Sequence, residues 1–443
     1  MLNHTAHLSR DALRRSGVQR RTVLALLSLA VSATFLGPAP PSPSAVPGGE
    51  LEGRDESVYV PTNRPTIEAA FSRESYRPGA IARLVIFSKR ARGVSIQVWR
   101  AGTESGRLSA RDEMGGTPAT ELDPLGTVRQ HQTVRVRIPH SPSGLYFAKL
   151  TGRGGRIGYA PFVLRPRRLG EHRVAEVLPT LSWQAYNYHD DNGDGQPDSW
   201  YANQSKIHTA SLYRPYTDRG VPRTYRDREQ PFLRWLIHKE RDVDYLAQTD
   251  LARTNGRTLA AAYDLLIFSG HHEYVTEREY DAVEQFRNRG GNLMFLSANN
   301  FFWKVVIRRG VMHKIRQWRD LGRPEAALIG VQYIGNNRKF GRYVVRGGRT
   351  APWLFDGTGL RNGSRFSKAG IEIDKTNASS PAGTKVVAEI PNLFGPGWTA
   401  QMTYYQKGRA KVFAAGAFSF ASSVWWPQNE LLMENLWKQF ARP

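Results

Sequence analysis

Three polar segments, each directly after a short apolar run, carry the residue types best suited to chemistry. They are residues 180–187, 269–274 and 297–303. The first contains Tyr186, and the second contains His271 and Glu273. Phenolate and carboxylate oxygens are hard ligands that suit a ferric ion, and an imidazole that titrates near neutrality can move a proton. These residues form a candidate metal site with oxygen ligands, provided that the three segments meet in the fold.

The same residues also have ordinary structural uses. Glu273 can cap the start of a helix, and His271 can satisfy a nearby backbone group. Taken alone, the residue pattern favours these structural uses over a catalytic site. The aromatic residues within 301–303 and 425–427 offer a sugar-stacking face, although core packing is the commoner use of such clusters.

A second oxygen-rich segment follows Tyr186 closely in the chain. Its candidate calcium ligands are Asp190, Asn192, Asp194, Gln196 and Asp198. With Asp190 as position 1 of a calcium-binding loop, side-chain oxygens fall at positions 1, 3, 5 and 9, and Gly195 falls at the turn position 6. Position 12 is Tyr201, so the usual bidentate Glu is missing. The pattern predicts a weak calcium site that stiffens this loop, and a polar turn without a metal is the alternative.

The first part of the chain has the pattern of an all-β module, which we place at residues 55–168. Short runs alternate apolar and polar residues, and clusters of Pro, Gly and Ser separate them. The runs cover residues 81–88, 94–99, 133–138, 145–150 and 158–164. Strands of this length and spacing predict an antiparallel β-sandwich of immunoglobulin type, followed by a linker at residues 165–168.

From residue 172 to residue 443 the pattern changes to alternating strands and helices. Buried-type strands are predicted at 174–178, 265–268 and 293–296. A helix begins after Thr276, where Glu279 completes a capping box, and ends at Gly290. This order predicts a right-handed parallel β/α sheet. Because sites in such sheets lie at the carboxyl ends of the strands, the three polar segments should converge there.

Two later segments complete this second region. The β-like stretch 331–413 is either an insertion or an extension of the sheet, and residues 429–440 read as a closing helix.

Composition excludes several kinds of site. The 443 residues contain no Cys, so disulfides, thiolate metal sites and a Cys nucleophile are excluded. The net charge is +23, but the basic residues are scattered singly and no basic block is interleaved with aromatics. We therefore expect a basic surface and no nucleic-acid partner.

The amino-terminal 45 residues have the pattern of an export signal. Basic residues precede an apolar run at 23–36, and a stretch rich in Pro, Ser and Gly follows it. The pair Arg20 and Arg21 before that run fits a twin-arginine signal. We expect a secreted or extracytoplasmic protein that keeps no stable membrane span after processing.

Several short motifs, in order, resemble the large (β) subunit of N,N-dimethylformamidase in its C-terminal domain. The similarity covers most of residues 145–440, and its motifs are at 144–146, 160–163, 183–187, 231–236, 270–274, 290–294, 299–303 and 412–416. The sheet pattern is also similar to the class I glutamine amidotransferase-like, flavodoxin-like fold. That fold's usual nucleophile is a Cys, which this chain lacks, so its activity does not transfer. The chain resembles a secreted relative of actinobacterial type.

The resemblance implies a mononuclear iron held by two tyrosines and a glutamate. On that basis Glu273 is the carboxylate ligand, Tyr186 is one tyrosine, and Tyr216 is the other, with Tyr201 as the alternative ligand. The resemblance also makes His271 the acid/base group beside Glu273. Gln401 stands where the family often has an acid.

The implied function is a secreted metal-dependent hydrolase of an amide C–N bond, acting on a small amide or another small molecule. The resemblance also implies a small partner subunit or a homo-oligomer. The alternative is a non-catalytic extracellular protein that binds glycans or the cell surface and has a degenerate metal site with a structural calcium.

Overall fold

The computed structural model describes residues 64–201 and 207–441. The predicted export signal, residues 1–45, lies outside the described residues, as does the start of the predicted all-β module at 55–63. None of the helices in the described ranges has both the length and the apolar character needed to cross a membrane.

The described residues before 165 form two β-sheets. Their strands are β1 (Ala69–Phe71), β2 (Ser75–Tyr76), β3 (Ile81–Ile86), β4 (Arg90–Ala101), β5 (Gly116–Pro118), β6 (Asp123–Arg129), β7 (Thr133–Arg137), β8 (Gly144–Gly152) and β9 (Arg156–Leu164). One sheet has the order β1-β3-β7, and the other has the order β2-β9-β8-β4-β5, with β6 paired to β4. Strands β3, β4, β7, β8 and β9 confirm the five strands predicted in this part.

Alternating side chains of these two sheets share an apolar cluster. It contains Leu84 of β3, Ile96 of β4, Val134 of β7 and Phe162 of β9, all buried. The period-2 alternation seen in the sequence places one face of each strand in this cluster. The immunoglobulin type of the module stays a prediction.

The rest of the described chain is built on a large mixed sheet and a small one. Its strands are β10 (Val174–Leu178), β11 (Thr209–Ser211), β12 (Asp244–Ala247), β13 (Leu265–Phe268), β14 (Tyr274–Thr276), β15 (Asn292–Phe295), β16 (Trp303–Arg308), β17 (Val311–Gln317), β18 (Gln332–Val345), β19 (Arg365–Lys375), β20 (Lys385–Ile390), β21 (Ala400–Lys407), β22 (Ala410–Ala414) and β23 (Ala417–Phe418). Its helices are α1 (Thr180–Ala185), α2 (Gln230–His238), α3 (Gln248–Leu251), α4 (Gly256–Ala262), α5 (Glu277–Asn288), α6 (Ala326–Ile329) and α7 (Pro427–Phe440). A four-residue turn, Thr217–Gly220, and short 3-10 turns join these elements.

The large sheet has the order β12-β10-β13-β15-β22-β21-β20-β18-β19-β23. The pairs from β12 to β22 are parallel, which confirms the predicted parallel β/α arrangement. From β22 to β23 every pair is antiparallel. The stretch 331–413 is therefore an extension of the sheet, one of the two alternatives left open by the sequence.

Helix α5 follows the predicted capping rule. The Thr276 hydroxyl accepts a hydrogen bond from the Glu279 backbone N–H (3.3 Å), and Gly290 takes a left-handed φ of 94° after the helix end. Its apolar face, which includes Val283 and Phe286, is fully buried. Helix α7 is the closing helix predicted at 429–440.

The small sheet, in the order β11-β17-β16-β14, was not predicted. Strands β16 and β17 form a hairpin that begins at Trp303, inside the segment that the sequence assigned to a loop. Lys304 and Arg308 lie on a strand whose side chains are mostly half-buried, so its periodicity is weak.

One apolar cluster includes residues from both predicted domains. It contains Phe147 and Tyr159 from the first segment, and Trp235 and Leu265 from the second. Polar contacts also cross the predicted boundary, since Ser75 donates to Asp250 Oδ1 (2.7 Å). The fold is a strand-rich mixed α/β structure, and its division into domains at 168–172 stays a prediction.

Candidate functional site

The three polar segments lie at the carboxyl ends of neighbouring parallel strands. Tyr186 ends helix α1, which follows β10; Glu273 lies in the loop after β13. The Tyr186 hydroxyl donates to Glu273 Oε2 at 2.5 Å, and both side chains are 5% exposed. The third segment joins them through Phe301, whose backbone N–H donates to His272 O (2.7 Å). The fold therefore brings together the residues that the sequence singled out.

A second phenol extends this group of oxygens. The Tyr201 hydroxyl donates to the Tyr186 hydroxyl at 2.5 Å, and the two rings meet edge to face with centroids 4.1 Å apart. Two phenol oxygens and one carboxylate oxygen thus lie in successive contact. Such a set of hard oxygen donors fits a ferric ion.

Tyr216 lies in different surroundings. It lines a separate small cavity together with Glu74 and Trp183. Burial raises the pKa of its phenol, and the nearby Glu74 raises it further. Tyr201, the alternative ligand in the sequence analysis, is the tyrosine in contact with Tyr186.

His271 is held beside the carboxylate in a defined orientation. Its Nδ1 lies 3.1 Å from the carbonyl oxygen of Ala298, which can only accept, so we assign the proton of the neutral ring to Nδ1; Nε2 lies 3.2 Å from Glu273 Oε2. The ring stacks on Tyr186, with centroids 5.5 Å apart and an angle of 20°. Burial lowers the pKa of His271, Glu273 opposes this effect, and the positive charge of Arg228 adds to it.

A second carboxyl, which the sequence analysis missed, faces the same imidazole. Glu372 Oε2 lies 3.6 Å from His271 Nε2, and the side chain is 5% exposed. Glu372 comes from β19, in the antiparallel part of the sheet. The signal in the sequence was Glu372, an acid between two isoleucines on a mostly buried strand, with a second acid, Asp374, two residues later. Gln401, which stands where the family often has an acid, accepts hydrogen bonds from the backbone N–H and the hydroxyl of Thr376.

Hydrogen bonds of His272 and Ser182 hold the loops that carry the site residues. His272 places Nε2 2.9 Å from Val177 O and Nδ1 3.1 Å from Gly270 O, and burial lowers its pKa to about 3. It is therefore a neutral structural residue. The Ser182 hydroxyl accepts a hydrogen bond from the Glu273 backbone N–H (3.2 Å). Gly270 is required here, because a Cβ would lie 2.7 Å from Pro179 Cγ.

Several residues around the site have a left-handed backbone although they are not glycine. Ile371 (φ 70°) and Ser419 (φ 71°) line the cavity, and Asn299 (φ 53°) and Phe301 (φ 60°) lie in the third polar segment. A branched side chain such as that of Ile371 is strained in this conformation. Backbone strain of this kind clusters at functional sites.

A cavity of about 690 Å³ opens above the oxygen cluster. Tyr186, Tyr201 and Glu372 contribute to its wall. No group of three or more His, Cys, Asp or Glu side chains arranged to hold a metal occurs in residues 64–201 and 207–441. A metal at this site would therefore depend on the two phenols.

The predicted calcium loop folds as a series of turns closed by its own side chains. Asp190 accepts backbone hydrogen bonds from Gly193 (2.7 Å) and Gly195 (2.8 Å). In the same way Asn192 accepts from Asp194 N, Asp194 accepts from Gln196 N, and Asp198 accepts from Asp191 N. Such turns are common in polar loops and also in calcium loops. The calcium site stays a prediction.

Comparison with known proteins gives a consistent result over most of the chain. A family model described as N,N-dimethylformamidase beta subunit-like, C-terminal, matches residues 95–429. The N,N-dimethylformamidase beta subunit of Paracoccus aminophilus is 26% identical over 284 residues, covering 54% of this chain and 36% of that protein. The beta subunit from Alcaligenes sp. is 31% identical over 133 residues, covering 28% of this chain and 16% of that protein.

The chain thus spans about a third or less of the length of these curated relatives. Among solved structures, the sporulation control protein Spo0M from Bacillus subtilis is 12% identical and has a TM-score of 0.16, covering 22% of this chain and 48% of that protein. A similarity of that size carries no argument about the fold.

Proposed function

Since the chain belongs to the N,N-dimethylformamidase beta subunit-like family, we propose that it is an amide hydrolase whose iron ion is held by Tyr186, Tyr201 and Glu273. The observation that carries the proposal is the contact between these three oxygens, with two successive distances of 2.5 Å, beside a cavity that both tyrosines line. Tyr201 replaces Tyr216 in the proposed ligand set because it contacts Tyr186.

When bound there, iron supplies the positive charge that polarises an amide carbonyl. The protein's own residues do the rest. In the tautomer in which Nδ1 donates to Ala298 O, His271 Nε2 is the basic nitrogen of the ring and accepts a proton from an attacking water. It can then return that proton to the leaving amine.

Glu372 supports the proton transfer by His271. Its carboxylate, 3.6 Å from His271 Nε2, stabilises the imidazolium that forms when His271 takes the proton. The stacked Tyr186 ring and the Ala298 carbonyl keep the imidazole from rotating. The buried location of both side chains strengthens these electrostatic effects.

The test compares three Tyr→Phe variants after expression with iron. Tyr186→Phe and Tyr201→Phe should each lose most of the bound iron, the visible phenolate-to-iron absorption band and the hydrolysis of N,N-dimethylformamide. Tyr216→Phe is the matched control, because it removes one buried phenol hydroxyl from another cavity, and it should keep all three. A colourless wild-type protein without iron would overturn the proposal; loss of the band in Tyr216→Phe alone would move the second ligand to Tyr216.

The remaining features of the predicted function are proposals of the same kind. The matched relatives are named beta subunits, so we propose that the chain acts with a small partner subunit or as a homo-oligomer. Export through the signal at 1–45, a calcium ion in the loop 190–198, and the immunoglobulin-like and amidotransferase-like regions are likewise proposed. The family match does not favour the alternative of a non-catalytic binding protein.

A further inference from the structure

The cavity above the oxygen cluster has far more positive than negative side chains. Seven Arg and Lys residues and two carboxylates line it, whereas the whole chain has 62 Lys and Arg against 39 Asp and Glu. One of the two carboxylates, Asp227, is engaged by Arg107 and by Arg111 (2.9 Å). The remaining cations are Arg223, Arg228, Arg234, Arg338 and Lys368. The second carboxylate of the lining is Glu372, so cations outnumber carboxylates in the lining by more than they do in the whole chain.

Arg228 is the cation nearest to the proposed chemistry. Its guanidinium carbon lies 3.9 Å from the centroid of the Phe418 ring, and that ring lies 4.5 Å from the His271 ring. One aromatic ring thus separates this charge from the proton-transfer group. Burial raises the pKa of the neighbouring Glu229 to about 7, and the Arg228 charge opposes this effect. Arg228 also lines the cavity, where its charge can attract an anionic ligand.

Arg234 is a second, rigid cation on the same wall. Its side chain is buried, its Nε donates to Glu104 O (3.0 Å), and its Nη2 donates to Ser105 O (2.6 Å). The guanidinium also lies over the Trp425 ring, 4.7 Å from its centroid. Carbonyl groups and an aromatic face orient the cation without neutralising it.

The size and the aromatic lining of the cavity indicate more than a very small ligand. A volume of about 690 Å³ is within the range of roughly 300–1,000 Å³ that holds drug-sized molecules. Trp425, Trp426 and Phe340 line it, and Trp426 is 44% exposed. An amide of a few atoms would leave most of this space to water.

We propose that the cavity selects an anionic amide, whose carboxylate, phosphate or sulfate group is bound by Arg228 and its neighbouring cations and whose apolar part lies against Trp425. This inference rests on the proposed amide hydrolysis, because the oxygen cluster and the cations share one cavity. The electrostatic attraction brings the amide group to the part of the cavity wall formed by Tyr186, Tyr201 and Glu372, and His271 lies behind Glu372 at 3.6 Å.

The experiment compares two amides that differ only in charge at one end. N,N-dimethylsuccinamate has a carboxylate where N,N-dimethylbutanamide has a methyl group. We expect kcat/KM to be at least tenfold higher for the succinamate at low ionic strength, with a ratio that falls as salt is added. Succinate and inorganic phosphate, used as competitors, distinguish carboxylate from phosphate recognition.

Two variants that each remove one positive charge test which cation causes the preference for the anionic amide. Arg228→Gln should lower the succinamate-to-butanamide ratio about tenfold, because a partly buried cation is lost from the wall. Arg135→Gln is the matched control: Arg135 is exposed on β7 and does not line the cavity. An equal effect of both variants would mean that only the diffuse basic charge acts, and would overturn the inference.

The outcomes also separate this inference from the proposed function. If both amides are hydrolysed with equal kcat/KM, the amide hydrolase stands and the anionic substrate class is wrong. If neither is hydrolysed, the proposed function fails, and calorimetry with N,N-dimethylsuccinamate as the probe decides the inference. Binding to wild type that is lost in Arg228→Gln supports the anion site, and no binding to wild type overturns it.

Discussion

At the scale of single residues, the site depends on a few polar atoms kept out of water. His271 faces two carboxylates, Glu273 at 3.2 Å and Glu372 at 3.6 Å. These two acids come from different elements: Glu273, in the loop after β13, accepts a hydrogen bond from the Tyr186 phenol, and Glu372, on β19, lines the cavity. We therefore assign Glu273 to the proposed metal and Glu372 to positioning the proton on His271.

Glu372→Gln should separate these roles. We expect kcat to fall by about 10²- to 10³-fold, because the imidazolium loses its counter-charge, while bound iron stays at the wild-type level. Elemental analysis and steady-state kinetics measure the two quantities. Glu273→Gln is the comparison, and it should lose both iron and activity. Loss of iron from Glu372→Gln would make Glu372 a ligand instead.

Asp374 should make stability depend on pH. Burial raises its pKa to about 7, the Asn299 backbone N–H opposes this effect, and Glu325 adds to it. The folded state therefore holds the Asp374 proton more tightly than the unfolded chain. The stability that this proton contributes is complete below about pH 4 and is lost as pH rises to about 7.

Asp374→Asn removes that dependence and keeps an acceptor for Asn299. The free energy of unfolding of wild type should fall relative to that of the variant as pH rises from 4.5 to 7.5. The difference between the two proteins should change by on the order of 3 kcal/mol over this range. Denaturant titrations at the two pH values measure the difference. Asp356→Asn, at an exposed acid, is the control. A difference between Asp374→Asn and wild type that does not change with pH would contradict the assignment.

At the scale of elements, the site depends on strand direction. Parallel pairing of β10, β13 and β15 places their following loops at one edge of the sheet. The loop 190–198 connects two of the proposed ligands, since it follows Tyr186 and precedes Tyr201. Its carboxylates are already ordered by backbone N–H groups, as for Asp190 with Gly195 (2.8 Å).

A calcium chelator should lower the melting temperature of the wild-type protein if this loop binds calcium. We expect a decrease of about 2 °C or more from a millimolar calcium solution, because binding to the folded state alone stabilises it. The Asp190→Ala variant should have the same melting temperature with and without the chelator. Asp123→Ala, at an exposed acid of β6, should respond as wild type does. An unchanged wild-type melting temperature would remove the calcium proposal.

At the scale of the whole molecule, one apolar cluster includes residues from both predicted domains. Phe147 of β8 is fully buried in it and packs against Tyr159 with centroids 5.6 Å apart. The same cluster includes Trp235 and Leu236 of α2. Shared burial of this kind couples the unfolding of the two segments.

Phe147→Ala should lower the free energy of unfolding by about 3 to 5 kcal/mol, because it leaves a cavity in the shared cluster. Calorimetry should show one transition for the wild type and one, at lower temperature, for the variant. Ile81→Ala, at a half-exposed position of β3, is the control and should change little. Two separate transitions in the wild type would support independent domains with the boundary at 168–172.

The sequence by itself determined the elements whose cause is local. Alternation predicted β3, β4, β7, β8 and β9, and strand–helix–strand order predicted the parallel pairing of β10, β13 and β15. Because parallel strands end at one edge, the sequence also predicted that the loops carrying Tyr186 and Glu273 converge, and the family resemblance paired these two residues.

Only the tertiary structure decided which other residues reach that edge. Glu372 arrives from a late antiparallel strand, and Tyr201 contacts Tyr186 while Tyr216 lines another cavity. The cations of the cavity wall come from separate segments of the chain. Pairings between residues far apart in the chain leave no local periodicity, so they emerge only when the sheet extends and the segments pack.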